Sequence, residues 1–318
     1  MYAHVLSLLV VLLPASPPET PKKRFTATTP AETEQWQQES RKLLFDLLKL
    51  SDLVAAKEKN PLNEKLLKTE DRGKYLWQEW EINSTPTRRV RIVVTMPKGQ
   101  KPKEMYPAVV CLHGHGGNRN IVYQPGLYNA FAAELAARRF VTVSVDVGQH
   151  KVYEPGRTLM GERLWDVMRC VDYLDAKFVV DKTRIGCAGL SLGGEMTMWL
   201  GAMDPRIQAT VSSGFLTTVA NMRQGHCPCW DFPGLTENFD FADIYSLTAP
   251  RALMCQIGKL ERAPGGFPVS IAEPAMKEIQ RAYRVCNAEH KAELDIHGEG
   301  HVFMVPTAVR FLETHLKK

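Results

Sequence analysis

Trp36, Leu43, Leu47, Leu50 and Val54 follow one another at steps of seven, four, three and four, the spacing of an amphipathic helix with one packed stripe. Tyr75 to Ile82 and Arg88 to Met96 then alternate apolar and polar residues around Ser84-Thr85-Pro86. This predicts two strands joined by a short turn, an antiparallel hairpin at a sheet edge. From Tyr106 the pattern changes. Short apolar runs at Ala108 to Leu112, Phe140 to Val145, Arg184 to Ala188, Ala209 to Ser212, Arg251 to Ile257 and Ala292 to Ile296 predict strands covered on both faces, as in a parallel sheet. Between them, Phe131 to Ala137, Val167-Cys170-Val171-Leu174 and Met196-Trp199-Leu200-Met203 step by three and four, as helices do. The alternation reads as a doubly wound α/β domain from about residue 85 onward, a mostly parallel sheet with helices on both faces. Ligands of such sheets sit beyond the C-terminal ends of the strands. Residues 214–250, after the sixth predicted strand, break the rhythm: they hold no clear strand, and a connection of that length is a functional loop or a small cap.

With 44% hydrophobic and 24% charged residues in 318, the chain can bury a large core, which excludes disordered and fibrous classes. No internal repeat or heptad run appears, so solenoids, propellers and coiled coils are excluded too. The net charge of +5 is spread along the chain and forms no Lys/Arg stripe, so no nucleic-acid partner is expected. Val5 to Leu13, apolar except for Ser7, is too short to span a bilayer but suits the core of a signal peptide, and Ala15-Ser16 offers small residues for cleavage. The n-region lacks Lys and Arg, and a frayed cytosolic start is the alternative. The expected organisation is an export signal at 1–20, a linker and N-terminal helical extension at 21–74, and one catalytic domain at 75–318. The mature chain then has no integral membrane span and a periplasmic or extracellular home. Seven cysteines are an odd number, and Cys111, Cys187 and Cys255 fall inside apolar strands, where they read as buried free thiols.

Gly189-Leu190-Ser191-Leu192-Gly193-Gly194 follows an apolar strand and opens a helix, the context a Gly-x-Ser-x-Gly nucleophile elbow needs. His113-Gly114-His115-Gly116-Gly117 directly follows the Ala108 strand. A serine hydrolase needs a backbone N–H aimed at its oxyanion there, which makes the N–H groups of His115 and Leu192 the expected donors. An inert serine and a phosphate-binding loop are the competing readings, but no Lys-Ser/Thr follows and the glycine spacing is not that of a dinucleotide fingerprint. The His113 and His115 side chains read as loop packing, with His113 also a substrate-pocket candidate. In the chain order Ser, acid, His, the base is His301 of His297-Gly298-Glu299-Gly300-His301, with His297 as its competitor. Glu261, the carboxylate after the Arg251 strand, is the expected acid, with Asp231, Asp240 and Asp243 as competitors. A surface ion pair is its bland alternative. His226, Cys227 and Cys229 are zinc-ligand types, but a single residue between the cysteines is tighter than usual and no fourth ligand lies nearby in sequence, so no metal site is assigned. Trp230 and Phe232 read equally as an apolar substrate wall or as loop packing.

These residues resemble the α/β-hydrolase superfamily, and within it the dienelactone hydrolase and acetyl xylan esterase-like carboxylesterases, over roughly residues 75 to 318. The resemblance rests on His113 to Gly117, Trp165-Asp166 heading a helix, Gly189 to Gly194, Ala249-Pro250-Arg251 and Gly298-Glu299-Gly300-His301. It implies an α/β-hydrolase fold and a Ser-acid-His triad. Two departures stand out: Glu261 where the family has Asp, and Val147 in Asp146-Val147-Gly148-Gln149 where one acetyl esterase subgroup has Arg. Dienelactone hydrolases proper commonly use cysteine, so Ser191 implies ordinary ester hydrolysis. The expectation is an exported serine carboxylesterase for small acyl esters, extending to acetyl groups on polysaccharide, with no cofactor. An oligopeptidase-like peptidase and a non-catalytic hydrolase-fold binding protein are the alternatives. The short segment ahead of the core disfavours the peptidase, because its relatives carry a large propeller there.

Overall fold

The computed structural model describes residues 20–99, 103–177 and 179–317. The expected export signal, apart from Thr20, lies outside the described residues. Among the described residues nine strands form one sheet: β1 (Lys65–Asp71), β2 (Tyr75–Asn83), β3 (Arg89–Pro97), β4 (Tyr106–Leu112), β5 (Val141–Val145), β6 (Val180–Leu190), β7 (Ile207–Ser213), β8 (Ala252–Gly258) and β9 (Ala292–His297). Their order is β1-β2-β3-β5-β4-β6-β7-β8-β9. The β1–β2, β2–β3 and β3–β5 pairs are antiparallel and all the others parallel. β5 lies on one side of β4 and β6 on the other, so the winding direction switches there and opens a crevice at the C-terminal ends of β4 and β6.

The continuous apolar runs are buried as expected: every residue of β4, β5 and β8 is buried. Alternate side chains serve two cores. Val109 and Cys111 join Phe131, Leu135 and Leu312 on one face, while Ala108, Val110 and Leu112 join Leu164, Trp199 and Leu200 on the other. The helices are α1 (Pro30–Leu47), α2 (Ser51–Ala55), α3 (Phe131–Ala137), α4 (Leu159–Asp175), α5 (Leu192–Met203), α6 (Val219–Met222), α7 (Leu235–Asn238), α8 (Phe241–Ser246), α9 (Val269–Val285) and α10 (Val305–Leu316). Trp165 and Asp166 lie in the middle of α4 instead of heading it. Asp166 receives two 2.7 Å bonds from Arg88, and Trp165 Nε1 donates to Ser84 O, so together they pin the β2–β3 turn to the core.

Three expectations change. The strand β1 was not foreseen, so the 214–250 insertion follows the seventh strand; it carries α6, α7 and α8. The N-terminal helix breaks into α1 and α2 at Lys49, whose φ of 60° is left-handed. Its buried face adds Thr33, Gln37, Ser40 and Leu44 to the expected stripe, of which Leu50 is fully buried, Trp36, Leu43 and Leu47 pack partly buried against the core, and Val54 stays exposed. That face docks by hydrogen bonds: Gln37 Nε2 donates to Ala249 O at 2.7 Å, and Arg41 to Ala202 O and Leu247 O. Ahead of it, the Lys22, Lys23 and Phe25 N–H groups bond Glu237 O, Asn238 O and the Asp243 carboxylate, so the extension lies along the insertion.

Candidate active site

Ser191 sits between β6 and α5 at φ 62°, ψ −123°. A side-chain-bearing residue there costs on the order of 1–3 kcal/mol, and its surroundings must hold it. Ser191 N donates to Ser213 O at 2.8 Å, and Ser191 O accepts the Glu195 N–H. The flanking glycines are required by contact. A Cβ on Gly193 would lie 2.2 Å from Leu112 O, and one on Gly189 2.4 Å from Gly193 O. Close approach of the β4 and β6 ends thus brings the His113–Gly117 loop against the serine, with Gly114 N bonded to Tyr128 Oη at 2.8 Å. Leu192 is the first residue of α5, where backbone N–H groups have no intrahelical acceptor.

After β8 the chain turns through Glu261, and after β9 it reaches His301. His301 Nδ1 and Glu261 Oε1 are 2.8 Å apart, and Glu261 Oε2 accepts the Phe267 N–H at 3.0 Å. The carboxylate is buried, while about a third of the imidazole is exposed. The Phe267 ring stacks on His301 with centroids 5.7 Å apart and 20° between planes, and Gly214 packs against the imidazole from the β7 side. Ser191, Leu192, His115, Glu261 and His301 line one cavity of about 410 Å³, whose apolar wall is Phe215, Met222 and Phe267. The volume is that of a small-molecule site. Glu195 lies on the same cavity, fully buried, and its Oε1 has no hydrogen-bond partner among the described residues. Burial, only partly offset by Arg163, pushes its carboxyl up to about 8.

The Abhydrolase family matches residues 17–152 and 152–306. The chain belongs to that family. The expected α/β-hydrolase enzyme class therefore stands. A Bacillus subtilis protein named as a hydrolase, YtaP, is 24% identical over 307 residues, covering 87% of this chain and 99% of that protein. Among solved structures, a Bacteroides fragilis protein named as an acetyl xylan esterase superposes with a TM-score of 0.72 at 21% identity, over 87% of this chain and 78% of that one. A glucuronoyl esterase of carbohydrate esterase family 15 from Caldicellulosiruptor kristjansonii gives 0.64 at 14% identity, over 95% and 92%. At these identities the likeness is one of fold.

Within this hydrolase several sequence expectations change. His113 does not line the cavity. It is fully buried, with Nδ1 2.8 Å from Gly114 O and Nε2 accepting the Val147 N–H at 3.0 Å. Both ring nitrogens are used by the neutral form, and burial holds its pKa below the usual histidine value. The residue ties the loop after β4 to the loop after β5. Trp230 and Phe232 are buried in the packing of the insertion and do not line this cavity. Trp230 meets Phe241 of α8 edge-on at 5.7 Å within the insertion, and Phe232 meets Trp199 at 5.8 Å, rings tilted, which anchors the insertion to α5. Asp240 and Asp243 form a capping box at α8, and Asp231 is exposed, so Glu261 is the carboxylate bonded to His301. His297 ends β9 buried, its Nδ1 unpartnered among the described residues.

His226 turns towards Asn221 and the Phe267 ring and away from any shared site with the cysteines. Cys227 and Cys229 instead face His115 and His150, two ligand types the linear spacing did not bring to them. His115 Nε2 lies 3.0 Å from Cys229 Sγ. Burial, with Arg163 nearby, lowers His115 to about 4, so this imidazole is neutral at pH 7.

Proposed function

We propose that this hydrolase is a serine carboxylic-ester hydrolase for small acyl esters, with acetyl esters of polysaccharide as its substrate class. The observation that carries the reading is the 2.8 Å His301–Glu261 pair on the same cavity as Ser191, which is held at a strained strand-to-helix turn. Ser191 Oγ attacks the ester carbonyl. His301, free at Nε2 because Nδ1 faces Glu261, takes the serine proton and returns it to the leaving alkoxide. Glu261 orients the ring and stabilises the imidazolium, and the His115 and Leu192 N–H groups receive the oxyanion. Water then cleaves the acyl enzyme by the same route. A cavity of about 410 Å³ suits an acetyl group with one sugar-sized leaving group, and the fold is shared with proteins named for acetyl xylan and glucuronoyl ester cleavage.

Hydrolysis of p-nitrophenyl acetate by wild type and Ser191→Ala, with fluorophosphonate labelling of both, tests the assignment. Turnover that falls at least about a thousandfold in the variant, with labelling lost, is expected for loss of a nucleophile. Equal activity would place the nucleophile elsewhere. Labelling without ester turnover would turn the reading towards a peptidase, and neither would leave a binding protein. We also infer export, from the Val5 to Leu13 run; among the described residues no helix is long and apolar enough to cross a membrane. Fractionation of cells expressing the chain with and without residues 1–20 checks it. Retention of both forms in the cytosol would refute it.

A further inference from the structure

Four soft or borderline ligands meet at the rim of the cavity: His115 from the loop after β4, His150 from the loop after β5, and Cys227 and Cys229 from the insertion. One ligand atom from each lies within 4.8 Å of the other three. The two imidazole rings are 5.5 Å apart, and the His115 and Cys229 ligand atoms are already in contact. From these placements we propose that His115, His150, Cys227 and Cys229 bind one zinc ion in a closed His2Cys2 site that clamps the insertion to the sheet beside the active site.

The donor set fits that ion. Two thiolates and two imidazoles are the ligands of structural zinc sites, and the two thiolate charges neutralise the cation. A tetrahedral ion with bonds of about 2.3 Å to sulfur and about 2.0 Å to nitrogen places its ligand atoms about 3.3–3.8 Å apart. The widest spacing here therefore closes by roughly an ångström. His150 is exposed and Cys227 half-buried, so rotation of those two side chains supplies the movement. Binding releases the two thiol protons and involves no redox change. With four protein ligands no position is left for a substrate, so the ion acts by holding loops together.

A second feature builds the same junction. Arg163, fully buried in α4, donates to Cys229 O at 3.4 Å and to Gln149 O, joining the backbones of the insertion and the loop after β5 next to two of the proposed ligands. The zinc ion would add the loop after β4 through His115. The backbone N–H of that residue is the proposed oxyanion donor, so the metal is expected to act on kcat through loop position. Zinc binding itself is read without reference to ester hydrolysis and stands or falls separately from it.

The test uses the full chain, reduced, dialysed first against zinc chloride and then against metal-free buffer. Elemental analysis should return about one zinc per chain. Cobalt(II) in its place should give the strong visible bands of a tetrahedral ion together with a near-ultraviolet thiolate-to-cobalt band. Cys227→Ser and His150→Ala should each lose at least about tenfold in zinc affinity, while metal-free His150→Ala should melt with metal-free wild type. The cobalt spectrum of the wild type keeps the test independent of how the variants fold. The proposal is overturned by substoichiometric zinc in the wild type, by a cobalt spectrum without the thiolate band, or by equal zinc retention in wild type and Cys227→Ser/Cys229→Ser. A Cys227–Cys229 disulfide in the isolated protein, two hydrogens lighter by intact mass, would also overturn it. Failure here with labelling and turnover intact leaves the ester-hydrolase reading untouched.

Discussion

Replacing Glu261 with Gln removes a charge while keeping the shape, and the two bonds of the carboxylate decide the outcome. It serves His301 Nδ1 at 2.8 Å through Oε1 and the buried Phe267 N–H at 3.0 Å through Oε2. An amide offers one acceptor oxygen and one NH2 group. If the oxygen stays on His301, the Phe267 N–H faces another donor, an orphaned buried group costing about 1–3 kcal/mol. If it stays on Phe267, the NH2 group meets His301 and the ring answers by moving its proton to Nε2, a small tautomer cost. The second arrangement is favoured, and it leaves His301 without an acceptor for the Ser191 proton. The equivalent carboxylate-to-amide change in serine proteases lowers kcat about 10⁴-fold, or about 5.5 kcal/mol at 1.36 kcal/mol per decade. With 35% of the His301 side chain exposed, water competes at the ring and softens the penalty. The expected loss in kcat for p-nitrophenyl acetate is therefore about 10³–10⁴-fold, with KM and melting temperature little changed. A loss under about tenfold at unchanged stability would refute the role given to Glu261. An activity loss matched by unfolding would show that the carboxylate serves the Phe267 loop alone.

Gly193→Ala should leave little folded protein, because its Cβ would sit 2.2 Å from Leu112 O, whereas Gly298→Ala, with nothing within 4 Å, should melt with the wild type; similar melting curves for the two would refute the packing argument. Glu195 gives a pH signature of the opposite sign to a salt-bridged acid. Its folded pKa near 8 exceeds the ordinary 4.5, so stability is greatest below about pH 4.5, falls as pH rises to about 8 and is flat beyond, with a span of up to about 4–5 kcal/mol. Glu195→Gln should flatten that slope in melting temperature between pH 5 and 8, and an unchanged slope would contradict it. Arg41→Ala removes two bonds to the carbonyls of Ala202 and Leu247 and should lower stability by about 1–3 kcal/mol without changing kcat. A shift in kcat would mean that the extension reaches the chemistry.

The central strands and the elbow were legible because burial on both faces of a sheet, and the clash of any Cβ at Gly189 and Gly193, demand particular residue types at particular spacings. Lys65–Asp71 was not, because β1 is exposed on nearly every side chain, Leu66 and Leu67 included, and is held by backbone pairing to β2, which leaves no hydrophobic period to read. The helix stripe told only part of the docking, for a related reason. α1 also docks through Gln37 and Arg41 onto backbone carbonyls, an interaction that hydropathy does not register. Glu261 was readable from its place after β8, and its pairing with His301 needed the fold. The two histidines of the His/Cys cluster were hidden because His115 and His150 come from two other loops, more than seventy residues ahead of Cys227 in sequence, and proximity across a sheet edge leaves no trace in linear spacing.

The extension along the insertion bears on the order in which the molecule can assemble. Phe25 waits for Asp243, 218 positions away, Gln37 for Ala249, 212 away, and Arg41 for Ala202, 161 away. Contacts of such separation form late, since the intervening chain must be ordered before they repay its entropy. The extension therefore stays undocked until α5 and the insertion exist, and β8 and β9, which precede Glu261 and His301, come after both in the chain. Ser191 precedes the insertion in the chain and Glu261 and His301 follow it, so docking of the extension falls between the two halves of the site.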